Sequence, residues 1–557
     1  MKTCKVVALN ISLVIWCFLS YLTSLHTQVG AFLVAPLGVR WSSPSPSCWN
    51  QRRRVSAQCP PLTMGIRTWW RERRSRRKET KLNKVKWLEI KEKGAIKTDK
   101  GKKKNKKTSI GTLSDLAFVS GLRGVDKCDI RGTTFETLAT NKNIPNHPVI
   151  EVLRQRQQQG YKPSDYSDGY KVGLCIEGGG MRGCVTAGMA ACITDLGLVD
   201  CFDAFYGSSA GSLIGAYIIG QQEGMPRYGC SLYYDLLTGK ERHFIDTRYF
   251  LRTLGFGLFY NPGGIRELFK DRLGKPVLKL EYLLHDVVQK IRPLDFEKFW
   301  KNQQKQPLNI IASNVETQTS VAMTSAKGNW DSIETMTQCM RASMNLPGIA
   351  GPPLSIPTVC DGQPLVDSQL FEPIPYRSAI SDGCTHLVVL RSRPDGLNVC
   401  GSKSALERLI MRRYFRRKNR LPSMYKYMKA LGHKEIYSED MLILNEAASL
   451  WESTSQEKEQ PQILPISLQQ GIDEIGRLER GREAIFEGVR NGFVHAHEIL
   501  KAVKCGPSEE YTVDLEKLSD GWSAAKRVFP DDILNSKCDP IVGCPDEEIL
   551  EKASFRP

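Results

Sequence analysis

Residues 206–215 read Y-G-S-S-A-G-S-L-I-G. An apolar strand (202–206) enters this stretch, and a helix rich in Ala, Leu and Ile (209–220) leaves it. Gly207, Ser209 and Gly211 form a G-x-S-x-G elbow, in which small flanking residues let the backbone turn sharply and expose the serine hydroxyl. Working outward, residues 177–183 read E-G-G-G-M-R-G and follow a second apolar run, 171–176. A glycine-rich turn that opens a helix aims unpaired N–H groups at negative charge. Together the two segments supply an attacking oxygen and a cradle for the oxyanion it generates, a pairing that implies ester hydrolysis.

The remaining pattern repeats strand then helix. Short strands are expected at 308–313, 320–325, 364–366 and 386–390, with helices over 149–159, 183–196 and 330–344. Such alternation argues an α/β fold with helices on both faces of the sheet. Residues 111–170 read as a lead-in, 171–394 as the catalytic domain and 242–304 as an insertion within it. The insertion's run Y-F-L-R-T-L-G-F-G-L-F-Y (249–260) suits either core or a cap over an acyl-chain groove. Residues 395–557 read as a helical extension. Within it, 403–434 carries 11 Lys/Arg and one acid, interleaved with Tyr and Met. That composition fits either a solvated helix face or peripheral contact with anionic lipid.

The net charge of +18 does not describe the folded part, because residues 51–107 hold 22 Lys/Arg against 5 Asp/Glu. A charge block of this kind is read as a disordered segment, and it offers no support for nucleic-acid binding by the rest of the chain. Residues 1–31 combine a short basic start, an apolar run at 6–22 and small residues at 29–31, the layout of a signal peptide. An uncleaved anchor is the alternative, since the run only just reaches spanning length. The following basic, Ser/Pro-rich stretch (32–110) resembles the transit part of the two-part presequence of algae with secondary plastids. Entry into the secretory pathway is therefore expected, with a plastid, endomembrane residence or secretion as the destination. Trp69, Trp70 and Trp87 within it could mark a surface helix on lipid or a plain linker. Cys538 and Cys544 are read as unrelated thiols, although they could bridge a short loop. No metal-ligand spacing is present, so no cofactor and no calcium requirement are expected.

A serine hydroxyl needs a base. Of the eight histidines, only His386 follows Ser209 near a strand, as a Ser…Asp…His order requires. The better candidate is a carboxylate. Asp361-Gly362 makes a tight turn and the chain returns as Q-P-L-V-D-S-Q-L, which delivers Asp367 to a strand end where sites on α/β sheets form. An Asp that merely caps the loop is the alternative.

Four motifs then combine: E-G-G-G-M-R-G, G-S-S-A-G, M-R-A-S-M-N-L-P-G (340–348) and L-V-D-S-Q-L-F-E-P-I-P (365–375). In order and spacing they resemble the patatin-like phospholipase family. The resemblance implies a patatin-type three-layer α/β/α sandwich and a Ser–Asp dyad without His. It implies Ser209 as nucleophile, Asp367 as base, and Gly178, Gly179 and Gly180 with Arg182 as the oxyanion site. It further implies fatty acyl esters of phospholipids or galactolipids as membrane substrates, and no cofactor. Two positions depart from the family pattern: Glu177 stands where Asp is usual, and Ser368-Gln369 follow the dyad Asp where glycine is usual. If that turn required positive φ, Ser368 would cost about 1 kcal/mol or more and displace Asp367. Two competing readings remain, a Ser-His-Asp esterase using His386 and a membrane-binding protein with a degraded site.

Overall fold

The computed structural model describes residues 130–238, 244–246, 276–347, 349–399, 422–429, 432–454, 460–506 and 511–549. The signal-like and basic segments, the aromatic run at 249–260 and most of the basic stretch at 403–434 lie outside the described residues.

Among the described residues eight strands form one mixed sheet in the order β5-β6-β3-β2-β1-β7-β8, with β4 also on β3. These are β1 (Val172–Ile176), β2 (Ala204–Ser208), β3 (Leu308–Asn314), β4 (Thr319–Met323), β5 (Leu354–Ser355), β6 (Pro364–Val366), β7 (His386–Pro394) and β8 (Gln462–Leu468). Strands β3, β2, β1, β7 and β8 run parallel, while β4, β5 and β6 pair antiparallel. Strands in the parallel part are buried on both faces, which is why they read in sequence as unbroken apolar runs.

Side chains alternate between two cores. Leu174, Val388 and Leu390 join the core under α1 (Pro148–Gln159), α2 (Gly183–Asp195), α3 (Ala210–Gly220) and α4 (Ile333–Met344). Cys175, Leu387 and Val389 point the other way, against Met441 and Leu444 of α5 (Gly432–Thr454). The result is the three-layer α/β/α arrangement expected from the strand–helix alternation. On the first face α6 (Arg482–Leu500) lies against α2 at backbone contact. A Cβ on Gly188 would sit 1.9 Å from the Val489 carbonyl oxygen, and one on Gly492 would sit 1.9 Å from that of Val185.

Two expectations are corrected. The boundary at Pro394 does not separate the sheet domain from a purely helical extension. β8 pairs with β7 along its length, and α6 packs on α2, so 460–506 completes the sheet and one of its covering layers. Cys538 and Cys544 are joined by a disulfide rather than being unrelated thiols. Among the described residues no helix is long and apolar enough to cross a membrane.

Candidate active site

The sheet register brings the elbow and the Asp loop together. β2 ends at Ser208, opposite Ile311 of β3. β6 pairs with Ser313 and Asn314 of the same strand, but in the antiparallel sense. β4 occupies the other edge of β3 at those positions, so β6 lies on the β2 side, just beyond where β2 stops. One step on from Ser208 and one step on from Val366 therefore reach the same level, that of Ala312. The two side chains arriving there are Ser209 and Asp367, and Ser209 Oγ donates to Asp367 Oδ2 at 3.4 Å. That is long for O–H···O, as catalytic hydrogen bonds often are before substrate tightens them.

Ser209 pays for its exposure with backbone strain, at φ 52° and ψ −121°. Non-glycine residues held in such regions cost about 1–3 kcal/mol and persist only where their surroundings dictate it. Here the surroundings are close. A Cβ on Gly211 would lie 2.1 Å from the Ile176 carbonyl oxygen, and one on Gly178 only 2.8 Å from Ser209 Cβ. The Ser209 N–H donates to Ser343 Oγ at 2.8 Å, and that hydroxyl in turn donates to the Ile311 carbonyl. Helix α3 starts directly after Ser209, so its N-terminal dipole favours negative charge at the hydroxyl.

Asp367 is buried, and burial raises its carboxyl from 3.8 to about 6, against the opposing pull of the Gln369 N–H, Arg477 and Ser209. Its other oxygen accepts from the Gln369 amide at 2.8 Å, which fixes the carboxylate plane. Ser368 has negative φ within a short 3-10 turn, so the strain that would displace Asp367 is absent.

The glycine-rich loop follows β1. Gly179 and Gly180 have φ of 151° and 64°, conformations that favour glycine. Among the described residues their amides have no hydrogen-bond partner. Arg182 is buried, donates to Ser392 Oγ at 3.0 Å, and pairs with Glu474 and, at 4.0 Å, with Glu177. Its charge is thus spent on carboxylates, so Arg182 pins the loop rather than meeting an oxyanion. Glu177 also anchors it, accepting from the Ser392 amide at 2.6 Å and the Tyr437 hydroxyl at 2.9 Å.

His386 is not part of this cluster. It stands opposite Val172 at the first residue of β1, whereas Gly207 stands opposite Ile176. Four strand residues separate those levels, about 13 Å. Its Nδ1 lies 3.0 Å from Thr385 Oγ1, its ring packs edge-on against Tyr170, and burial pushes its imidazole down to about 4. The reading that makes His386 the base is therefore corrected. His386→Ala is expected to leave kcat/KM for ester hydrolysis within about threefold of the parent; a loss beyond 100-fold would restore the imidazole to the mechanism.

Ser209, Asp367 and the glycine loop open onto a cavity of about 300 Å³, within the size range of small-molecule sites. Leu213 and Leu237 line its apolar side, and the insertion adds Phe244, Leu278, Leu280 and Leu283. Ser368, Gln369 and Arg477 also line it. The tyrosines and methionines of 422–429 do not form a free patch. Met424 and Met428 are buried with Val366, Leu370 and Phe371, and Tyr427 donates to the Leu370 carbonyl at 2.7 Å. They brace the loop that carries Asp367. Two residues of the site have no sequence reading behind them. Ser343 lies inside the quoted 340–348 motif, which could have flagged it. Arg477 lies in a polar loop after β8 and carries no local signal.

A strained serine elbow on an α/β sheet, with a carboxylate at its hydroxyl and a glycine-rich amide loop, is an arrangement able to support ester hydrolysis. Residues 174–380 match the family model described as "Patatin-like phospholipase". These residues therefore carry a patatin-like phospholipase domain, a family whose activity is lipid acyl hydrolysis. Among solved structures, VipD from Legionella pneumophila is 12% identical with a TM-score of 0.29, covering 69% of this chain and 79% of that one. Human GIVD cytosolic phospholipase A2 is 19% identical with a TM-score of 0.20, covering 34% and 26% respectively. No curated protein sequence matches the chain.

Proposed function

We propose that the protein is a serine lipid acyl hydrolase that cleaves fatty acyl esters of membrane lipids through an acyl-enzyme on Ser209. In the first step Ser209 Oγ attacks the ester carbonyl carbon while its proton passes to Asp367 Oδ2. The carbonyl oxygen becomes an oxyanion and takes hydrogen bonds from the free amides of the 178–180 loop. Collapse of that intermediate expels the alcohol portion, which takes the proton from Asp367. Water then attacks the acyl-enzyme, giving its proton to Asp367, and the fatty acid leaves as Ser209 recovers its hydrogen. A carboxylate with pKa near 6 suits both directions of transfer, being ionised at neutral pH yet basic enough to accept.

The observation that carries the reading is the 3.4 Å approach of Ser209 to Asp367 at the wall of an apolar cavity that no histidine among the described residues lines. The acyl chain suits the Leu/Phe side, where each buried methylene is worth about 0.8 kcal/mol. Peripheral contact with a lipid surface is part of the proposal, because the substrate resides there. A fluorophosphonate probe should modify the folded protein at Ser209, located by peptide mass spectrometry. A folded protein that stays unlabelled would favour the binding-module reading instead.

A further inference from the structure

The cavity is lined by an arginine that the ester chemistry leaves unused. Three guanidinium groups lie near one another: Arg182 and Arg477 line the cavity, and Arg393 is close enough to repel Arg477. Two of them are compensated by carboxylates, since Glu474 pairs with Arg182 and, at 3.2 Å, with Arg393, and Glu177 lies 4.0 Å from Arg182. Arg477 differs. Among the described residues its guanidinium is held by a neutral amide oxygen, Gln369 Oε1, at 2.7 Å. Burial and the like charges of Arg182 and Arg393 disfavour its positive charge, and the nearby Asp367 relieves this in part. Ser368, the residue before Gln369, lines the same cavity, and its Oγ is buried without a hydrogen-bond partner among the described residues. A buried donor left unmatched costs free energy until something accepts from it. The backbone meanwhile fixes the place: Met181 N–H donates to the Arg477 carbonyl at 3.1 Å, tying this residue to the glycine loop.

We propose that Arg477, with the Ser368 hydroxyl, forms a subsite for a singly charged phosphodiester, so that the preferred substrate is a glycerophospholipid rather than an uncharged galactolipid. This inference rests on the hydrolase reading above and deepens it. The geometry matches the chemistry of such a lipid. With the ester at Ser209 and an acyl chain against Leu213 and Leu283, a phosphate a few bonds further on can reach Arg477, which Gln369 holds two residues after Asp367. Arginine suits the task because its planar fork can give a phosphate two parallel hydrogen bonds. The position usual for glycine after the dyad Asp is thereby given a purpose, since glycine there would offer no hydroxyl.

The test compares phosphatidylglycerol with monogalactosyldiacylglycerol of the same acyl chains in mixed micelles, using the full chain. In Arg477→Gln the ratio of kcat/KM for the phospholipid to that for the galactolipid should fall about 10- to 100-fold, chiefly through KM, with Arg477→Lys losing less. Equal losses on both lipids would overturn the subsite, since they are what altered tuning of Asp367 would produce. A second arm reads binding alone. An ether-linked, non-hydrolysable lysophosphatidylglycerol is titrated into Ser209→Ala protein with and without Arg477→Gln. Loss of affinity of about tenfold or more in the double variant supports the subsite; equal affinity overturns it even if no ester is ever cleaved. Inorganic phosphate separates the two sources of the anion. Weak competition by millimolar phosphate fits a lipid headgroup site, whereas phosphate binding tighter than the lipid would assign the site to the free anion and overturn the headgroup proposal.

Discussion

Ser209→Ala is expected to lower kcat for lipid ester hydrolysis by about 10,000-fold or more, because deleting a nucleophile removes the covalent route altogether. Folding should be little affected. The hydroxyl makes one long hydrogen bond, to Asp367, while the Ser209 amide keeps its bond to Ser343 whatever the side chain. Alanine inherits the same strained φ of 52°, so the elbow is neither relieved nor further loaded. Thermal denaturation should therefore stay within a few degrees of the parent while fatty acid release from a fluorogenic phospholipid disappears. Loss of both together would point to a folding defect. Retention of activity within tenfold would place the nucleophile elsewhere.

The elbow, the glycine loop and the central strands were legible because each obeys a local rule. β1 and β2 are buried on both faces and so read as apolar runs, and each is followed by glycines that only a sharp turn requires. The hairpin delivering Asp367 was legible for a similar reason. Asp361 and Gly362 both adopt positive φ, at 53° and 73°, which Asp and Gly tolerate. β8 was not legible, since Gln462–Leu468 includes Pro465, and proline argues against a strand interior. It is tolerated because β8 is the last strand of the sheet among the described residues, with β7 on one side only. The fit of Ser209 to Asp367 follows from register, a property of strand pairs that no single segment displays. Arg477 is more remote still, placed by the loop after β8 and by one backbone bond to Met181. The concern over Ser368 came from assuming that a family's glycine marks positive φ; here the turn is of 3-10 type and serine fits without strain.

Asp367→Asn should be nearly as damaging as loss of the serine, because an amide cannot accept the proton released in the attack. A fall in kcat of about 1,000-fold or more is expected, with the geometry kept: the Asn oxygen can still accept from the Gln369 amide, and its NH₂ can face Ser209. In the parent enzyme the base must be ionised, so kcat/KM should decline about tenfold per unit as pH falls below about 6, the value to which burial raises this carboxyl. Stability should run the other way. The folded-state pKa lies above the unfolded value of 3.8, so the unfolded chain loses this proton first, and the folded state loses stability as pH rises from about 4 to about 6. A shift from 3.8 to about 6 corresponds to on the order of 3 kcal/mol at neutral pH. Asp367→Asn, uncharged throughout, escapes that cost. Its unfolding midpoint relative to the parent should therefore climb between pH 4 and pH 6 and level off above. The same burial that destabilises the parent is what makes the carboxylate basic enough to activate Ser209. An Asn variant that is inactive but no more stable than the parent at pH 7 would show that Asp367 is solvated rather than buried, and its role as a tuned base would fail with that result.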